Sequence, residues 1–409
     1  MIRLINTDAG RLLCLLLLCF QTQLFAQLKV GDTYPEWTEG YMDIHHINTG
    51  RGECVFVILP DGTTMMIDAG EVGPSPEVSD ARPNDTKSAG EWTTRYITRM
   101  MRPLPEKRID YILLTHFHPD HMGDIHVARK KTNKGNFALT GVTELGTAIP
   151  FRKIVDRGWP DYNWPASLAH DSNVQNYIRF VKWHIANGAT AEQFQVGSNR
   201  QFSLLRQADK YPEFEIRNIA ANGRVWTGVR DEIRNYFPLE NIPDEDQCSA
   251  AIRISYGKFD YFSGGDIINA NAMGTWPDIE TPVGLSTGPV EVCKANHHGA
   301  HDAMGEGFLS AVRPRVIIVQ TWYAGQLENR GLQRMLAPSV YPGERDIFTT
   351  NLMEATRRVI GRRSDQLKSQ RGHIVTRVHP GGDRYDIYIL DDEAESFMIK
   401  AIHGPYESR

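Results

Sequence analysis

The stretch Thr115-His116-Phe117-His118-Pro119-Asp120-His121 constrains this chain more than any other. It packs three imidazoles and a carboxylate directly behind the apolar run Ile109-Asp110-Tyr111-Ile112-Leu113-Leu114. The apolar run predicts a buried strand, and the polar residues after it predict a loop at the strand's end. Alternation along an extended chain puts His116 and His118 on one side, where they can hold one cation. Pro119 then turns the chain so that Asp120 and His121 face a second. Crowded imidazoles are favoured when a cation or a carboxylate satisfies them. The pattern therefore predicts a dinuclear metal site.

Other segments predict a frame for that site. Glu53 to Leu59, the turn Pro60-Asp61-Gly62 and Thr63 to Ile67 predict a hairpin that ends in Asp68-Ala69-Gly70. Ala250 to Tyr256, Gly257-Lys258 and Phe259 to Phe262 predict a second hairpin, running into Ser263-Gly264-Gly265-Asp266. Val290 to Asn296 leads into His297-His298-Gly299-Ala300-His301, and Arg315 to Gln320 supplies the next buried strand. Helices are expected over Ala89–Met101, stopped by Pro103, and over Asn173–Asn187, ended by Gly188. Strands at His373–Val378, Tyr385–Leu390 and Ser396–Ile402 add a C-terminal β-element, either an edge of the second sheet or a small appendix. This organisation supports an α/β fold of the αββα type, two mixed sheets back to back with helices outside. The expected division is a leader at 1–26, a polar lead-in at 27–40, the sandwich domain at 41–395 and a C-terminal strand and tail at 396–409.

The His-x-His-x-Asp-His pattern, with these segments in this order, resembles the metallo-β-lactamase superfamily over roughly residues 41 to 395. Gly264-Gly265-Asp266 and the Lys294-x-x-His297-His298-Gly299 piece are most similar to one branch. That branch contains the metallohydrolase domain of ComEC-type DNA-uptake proteins and secreted phosphorylcholine esterases. The resemblance implies two divalent ions, zinc by default with manganese or iron as alternatives. His116 and His118 would hold the first, Asp120 and His121 the second, and Asp266 would bridge them. One of His297 and His298 would complete the second site. His298 is preferred as the ligand, with His297 donating a hydrogen bond to the developing charge. Two ions share a water and lower its pKa, so the expected nucleophile is a bridging hydroxide, with Asp120, Asp266 and His297 as the catalytic residues.

The superfamily often places another histidine between Asp120 and the bridging Asp. His126, His170 and His184 are the candidates, and none has the Gly-His-Thr setting; Asn241 to Gln247 occupies the expected place, so the first ion is expected to be one ligand short. His45 and His46 read as structural. Two places depart from the branch, Asn48-Thr49-Gly50-Arg51-Gly52-Glu53 and Thr321-Trp322-Tyr323-Ala324-Gly325-Gln326, and both are candidate substrate contacts. Asp156 to Ser167 is rich in aromatic and turn residues, which suits either a substrate rim or a loop packed on itself.

The 409 residues, 41% of them hydrophobic, can bury a large core. Residues 1 to 26 carry Arg3 and Arg11, the apolar run Leu12 to Phe20 and a small residue at Ala26, the pattern of a secretory signal peptide cleaved after Ala26. A secreted or periplasmic location is expected, with no membrane span after cleavage; lipoprotein processing at Cys14 or Cys19 is the alternative. Losing that leader leaves 43 basic against 49 acidic residues and no basic arm for nucleic acid. Arg357-Arg358 and Arg362-Arg363 read as a solvated helix face. Cys54, Cys248 and Cys293 read as small apolar fillers, with a Cys248 to Cys293 disulfide left open.

The expected function is a secreted hydrolase of phosphate esters or phosphodiesters, acting on a small-molecule or cell-envelope substrate. Acyl hydrolysis of a lactone or β-lactam at the same site is the alternative, and a non-catalytic metal-containing binding module is a third reading.

Overall fold

The run Ile109–Leu114 forms a strand buried at every position, and its side chains divide between two apolar layers. Ile112 and Leu114 face outward onto helices, whereas Tyr111 and Leu113 face inward onto a second sheet. That alternation is the physical basis of the sandwich. A computed structural model describes residues 28–73, 75, 78–237, 243–269 and 277–409. The leader at 1–26 lies outside the described residues, as do Asn241 and Ile242.

The first sheet contains β1 (Met42–His46), β2 (Val55–Ile58), β3 (Thr64–Ile67), β4 (Ile109–Leu114), β5 (Phe151–Asp156) and β6 (Thr190–Gln193). The second contains β7 (Phe214–Ala221), β8 (Arg224–Trp226), β9 (Ile233–Asn235), β10 (Ala251–Tyr256), β11 (Phe259–Ser263), β12 (Val292–Lys294), β13 (Val316–Val319), β14 (Asp346–Thr349) and β15 (Leu367–Ser369). The chain then returns to the first sheet as β16 (His373–Val378), β17 (Arg384–Leu390) and β18 (Ile399–Glu407). The strand orders are β18-β17-β16-β1-β2-β3-β4-β5-β6 and β9-β8-β7-β10-β11-β12-β13-β14-β15. Each sheet mixes antiparallel hairpins with parallel strands. The result is the metallo-β-lactamase type of αββα sandwich.

The three last strands do not extend the second sheet and are not an appendix. β16 pairs with β1, Met42 opposite Val378, and the sheet continues through β17 to β18 across the expected boundary at 395. Both predicted hairpins form, the first turning where Gly62 N donates to Leu59 O at 2.8 Å. Helix Ala89–Met100 is capped by Ser88, and helix Ser172–Ala186 by Asp171. Both pack Tyr96, Ile97, Tyr177 and Phe180 onto the outer face of the first sheet. A third apolar layer, with Val283, Phe308 and Leu332, covers the outer face of the second sheet.

β3 runs parallel to β4, and β11, β12 and β13 run parallel to one another. Their C-terminal ends therefore discharge Asp68, Thr115, Asp266, His298 and Gln320 toward one rim of the sandwich.

Candidate metal centre

The turn after β4 is fastened from two sides. Pro119 opens a single helical turn, Pro119–Met122, whose fixed φ suits the first helical position. Glu53 N donates to Asp120 O at 2.9 Å, and Ala69 N to His121 O at 2.9 Å. Gly70 lies so close that a Cβ there would sit 1.6 Å from Asp120 O. The glycine of Asp68-Ala69-Gly70 is thus a steric requirement. Asp68, at φ 58°, turns its carboxylate onto Thr115: Thr115 N donates at 2.8 Å and Thr115 Oγ1 at 2.7 Å.

Two groups of donors face each other around Asp266. In the first, His118 Nδ1 is 2.9 Å and His116 Nε2 3.4 Å from Asp246 Oδ1, with 3.2 Å between the two ring nitrogens. In the second, His121 Nε2 and His298 Nε2 lie 3.1 and 3.2 Å from Asp266 Oδ2, and His298 Nε2 lies 3.0 Å from Asp120 Oδ2. Asp246, Asp266 and His297 also converge, linking the two groups. The far ring nitrogens are tied back. His121 Nδ1 is 2.8 Å from Asp68 Oδ2, and His298 Nδ1 is 3.0 Å from Gln320 O, so both Nε2 atoms are turned to the centre as acceptors. His297 and His298 both adopt left-handed backbone, φ 41° and 52°, which splays the adjacent side chains apart.

The donor set fits divalent cations. His121 Nε2 and Asp266 Oδ1 are buried without a hydrogen-bond partner, a costly arrangement unless a cation satisfies them. The electrostatics agree. Burial pulls His121 and His298 down, yet Asp266 with Asp120 or Glu53 overrides it and raises both well above the ordinary imidazole value. His118 is treated likewise: burial lowers it, and the Asp246 hydrogen bond lifts it to about 9. Burial pushes Asp246 and Asp266 up, but neighbouring imidazoles hold both carboxyls below their usual range. Such a cluster demands positive charge, and a metal displaces the protons that otherwise supply it.

Every sequence-predicted site residue, His116, His118, Asp120, His121, Asp266, His297 and His298, lies in this one cluster. The expected gap at the first group is occupied by a residue the motif reading missed, Asp246. It comes from the Asn241 to Gln247 segment that stands where a histidine was sought. Its placement comes from contacts with the distant turn after β4: Glu245 accepts from Phe117 N at 2.8 Å, and Ala250 N donates to Thr115 O at 3.0 Å. A lone Asp in an acidic loop carries no signal of this. His126 and His170 are exposed, and His184 packs on Phe151, Phe180 and Trp183, away from the cluster. The Lys294-x-x-His297-His298-Gly299 motif includes Lys294 without marking its role, and nothing in it marks Asp302. Asp302 holds His297 Nδ1 at 2.8 Å, and Lys294 pairs with Glu53 at 2.7 Å.

The expected substrate contacts divide. Asn48 to Glu53 is buried, with Arg51 paired to Asp85 and Glu53 turned inward, so it supports the fold and offers nothing to a substrate. Trp322 instead stands edge-on to His298, with ring centroids 6.2 Å apart. In the aromatic loop, Arg157 is fully buried against Glu245, while Trp164 is exposed and stacks on Phe237. His45 and His46 are buried on Tyr96 and Tyr261 hydroxyls. Cys54, Cys248 and Cys293 are buried free thiols.

Residues 48–157 match the family model of the metallo-beta-lactamase superfamily. The αββα sandwich described above agrees with that match. Among solved structures, a protein assigned as a metal-dependent hydrolase from Parabacteroides distasonis aligns with TM-score 0.34 and 11% identity, over 77% of this chain and 97% of that one. A long form RNase Z from yeast aligns with TM-score 0.32 and 13% identity, over 73% of this chain and 40% of that one. No curated protein matches the sequence. No helix among the described residues is long and apolar enough to cross a membrane.

Proposed function

We propose that the chain is a dinuclear-metal hydrolase of phosphate esters or phosphodiesters, exported by the leader at 1–26 and cleaved after Ala26. The observation that carries this reading is the meeting of His116, His118 and Asp246 with Asp120, His121 and His298 around Asp266. No thiolate enters the set, and oxygen with imidazole donors suits zinc, manganese or iron. Two such cations, held by these residues, would supply Lewis-acid chemistry: a water of lowered pKa and polarisation of a phosphoryl oxygen.

The chain's own residues do the rest. Asp266 spans the two groups, while Asp68 and Gln320 O hold His121 and His298 in the tautomers that present Nε2. His297 is partly open to solvent, and its Nδ1 hydrogen bond to Asp302 favours the charged ring. Its Nε2 lies 3.8 Å from Asp246 Oδ2, at the edge of the centre, where it can give a proton to a leaving oxygen. Trp322, edge-on to His298, offers apolar surface beside the centre for an organic substrate group. The Gly264-Gly265-Asp266 and Lys294-x-x-His297-His298-Gly299 motifs support placement in the branch with ComEC-type and phosphorylcholine esterase-like proteins.

The test is a screen at pH 7–8 with bis(p-nitrophenyl) phosphate, p-nitrophenyl phosphate, a choline-phosphate ester, lactones and nitrocefin, with and without chelator. Chelator-sensitive cleavage of a phosphoester is the expected result. Lactone opening with every phosphoester ignored would move the same residues to acyl chemistry.

A further inference from the structure

Behind the second group of donors lies a buried quartet, Glu53, His121, Asp266 and His298, whose ligand-type atoms could by themselves surround an ion. That space already has a cation of its own. Lys294, the last residue of β12, places Nζ 2.7 Å from Glu53 Oε2 and 3.9 Å from Asp266 Oδ1, and donates to Gly265 O at 3.0 Å. Both Lys294 and Glu53 are about 1% exposed. Glu53 cannot drift, because its backbone N and O are bonded to Asp120 O and Gly70 N. Its Oε1 lies 2.9 Å from His298 Nδ1, on the side of the ring that also faces Gln320 O. Gln320 O takes the Nδ1 proton, and the Glu53 carboxylate beside it favours that tautomer by its charge, which leaves Nε2 free.

We propose that Lys294 and Glu53 are positioning residues for the second cation. The internal ammonium closes the rear of the cluster, holds Glu53 against His298 Nδ1, and leaves Asp266 to act through Oδ2. This rests on the metal-centre reading above. Removing the glutamate charge would free Lys294 to swing onto Asp266 Oδ1 and draw that carboxylate away from the centre. Removing the lysine alone would strand a buried carboxylate.

Chelator-stripped full-length protein is titrated with Zn2+ alone against a chromophoric competitor, which resolves the affinity of each equivalent, and folding is followed by circular dichroism. Wild type is expected to take two equivalents. Glu53→Gln is expected to keep the first and bind the second about 10- to 100-fold more weakly, the usual effect of losing such outer support. The double variant Glu53→Gln/Lys294→Met, which buries no unpaired charge, is expected to fold and to show the same selective loss. It carries the test if Lys294→Met alone does not fold. Two equivalents of wild-type affinity in both variants would overturn the proposal, as would equal weakening of both equivalents, which marks a merely structural pair. Wild type that takes up no zinc would instead overturn the metal-centre reading itself.

Discussion

Asp246 shows how much one side chain can change a site read from motifs. It sits 2.9 Å from His118 Nδ1 and 3.4 Å from His116 Nε2, giving the first group a carboxylate where a third imidazole was sought. Two imidazoles and a carboxylate form a competent set for zinc and for harder ions. Asp246→Ala should therefore lose the first ion and keep the second, as elemental analysis of the purified variant would show; full occupancy in that variant would remove Asp246 from the ligand set. The histidine pair should separate just as cleanly. His298 presents Nε2 between Asp120 and Asp266, whereas His297 stands at the edge with Asp302 behind it. His298→Ala should lose the second ion. His297→Ala should retain both and lose about 2.7–4 kcal/mol of transition-state stabilisation in kcat, the loss typical of one oxyanion donor. Metal content and steady-state rates on a phosphodiester decide this together, and unchanged metal with unchanged rate in both variants would refute the site assignment.

The loops matter through their backbones. The turn Pro119–Met122 hangs on bonds to Glu53 N and Ala69 N, and Gly70 allows the chains to meet. With a Cβ placed 1.6 Å from Asp120 O, Gly70→Ala must displace rigid backbone on both sides. The expected cost is at least about 1–3 kcal/mol, as for other overpacked sites, with the second metal equivalent weakened because Asp120 and His121 ride on the displaced turn. Denaturant unfolding with and without zinc reads both effects. A variant as stable as wild type and still binding two ions would show that the close approach is dispensable. The hairpins and the helices Ala89–Met100 and Ser172–Ala186 were legible because turn residues, caps and apolar periodicity act within a few residues. The sheet joined by β16, β17 and β18 was not legible, since their alternating pattern suits an edge of either sheet; pairing of β16 with β1 settles it.

Across the whole molecule, buried imidazoles outside the centre set the response to acid. Burial holds His373 and His46 down at about 3. The unfolded chain takes up protons below about 6.5 that these folded rings refuse, so their contribution is present above that pH and is lost as pH falls toward 3. Burial also lifts Glu280 to about 7, despite hydrogen bonds from Asn296, Met304 and Gly305. That group works in the opposite sense, gaining stability between about 7 and 4.5 as it protonates. Acid destabilisation of chelator-treated protein should accordingly steepen below pH 4.5. The stability gap between wild type and His373→Gln should shrink by about 1.4 kcal/mol per pH unit below 6.5, measured by denaturant unfolding at several pH values. Parallel curves would refute the assignment. The sequence by itself determined the buried strand β4, both hairpins and the crowding of His116 to His121, because each is written in neighbouring residues and needs only local geometry. Only the tertiary structure decided that Asp246 joins His116 and His118, that Asp302 backs His297, and that Lys294 and Glu53 neutralise each other beneath His298. Those roles depend on which strand ends discharge at the same rim, and a charged residue far away in the chain bears no local mark of the partner it will meet.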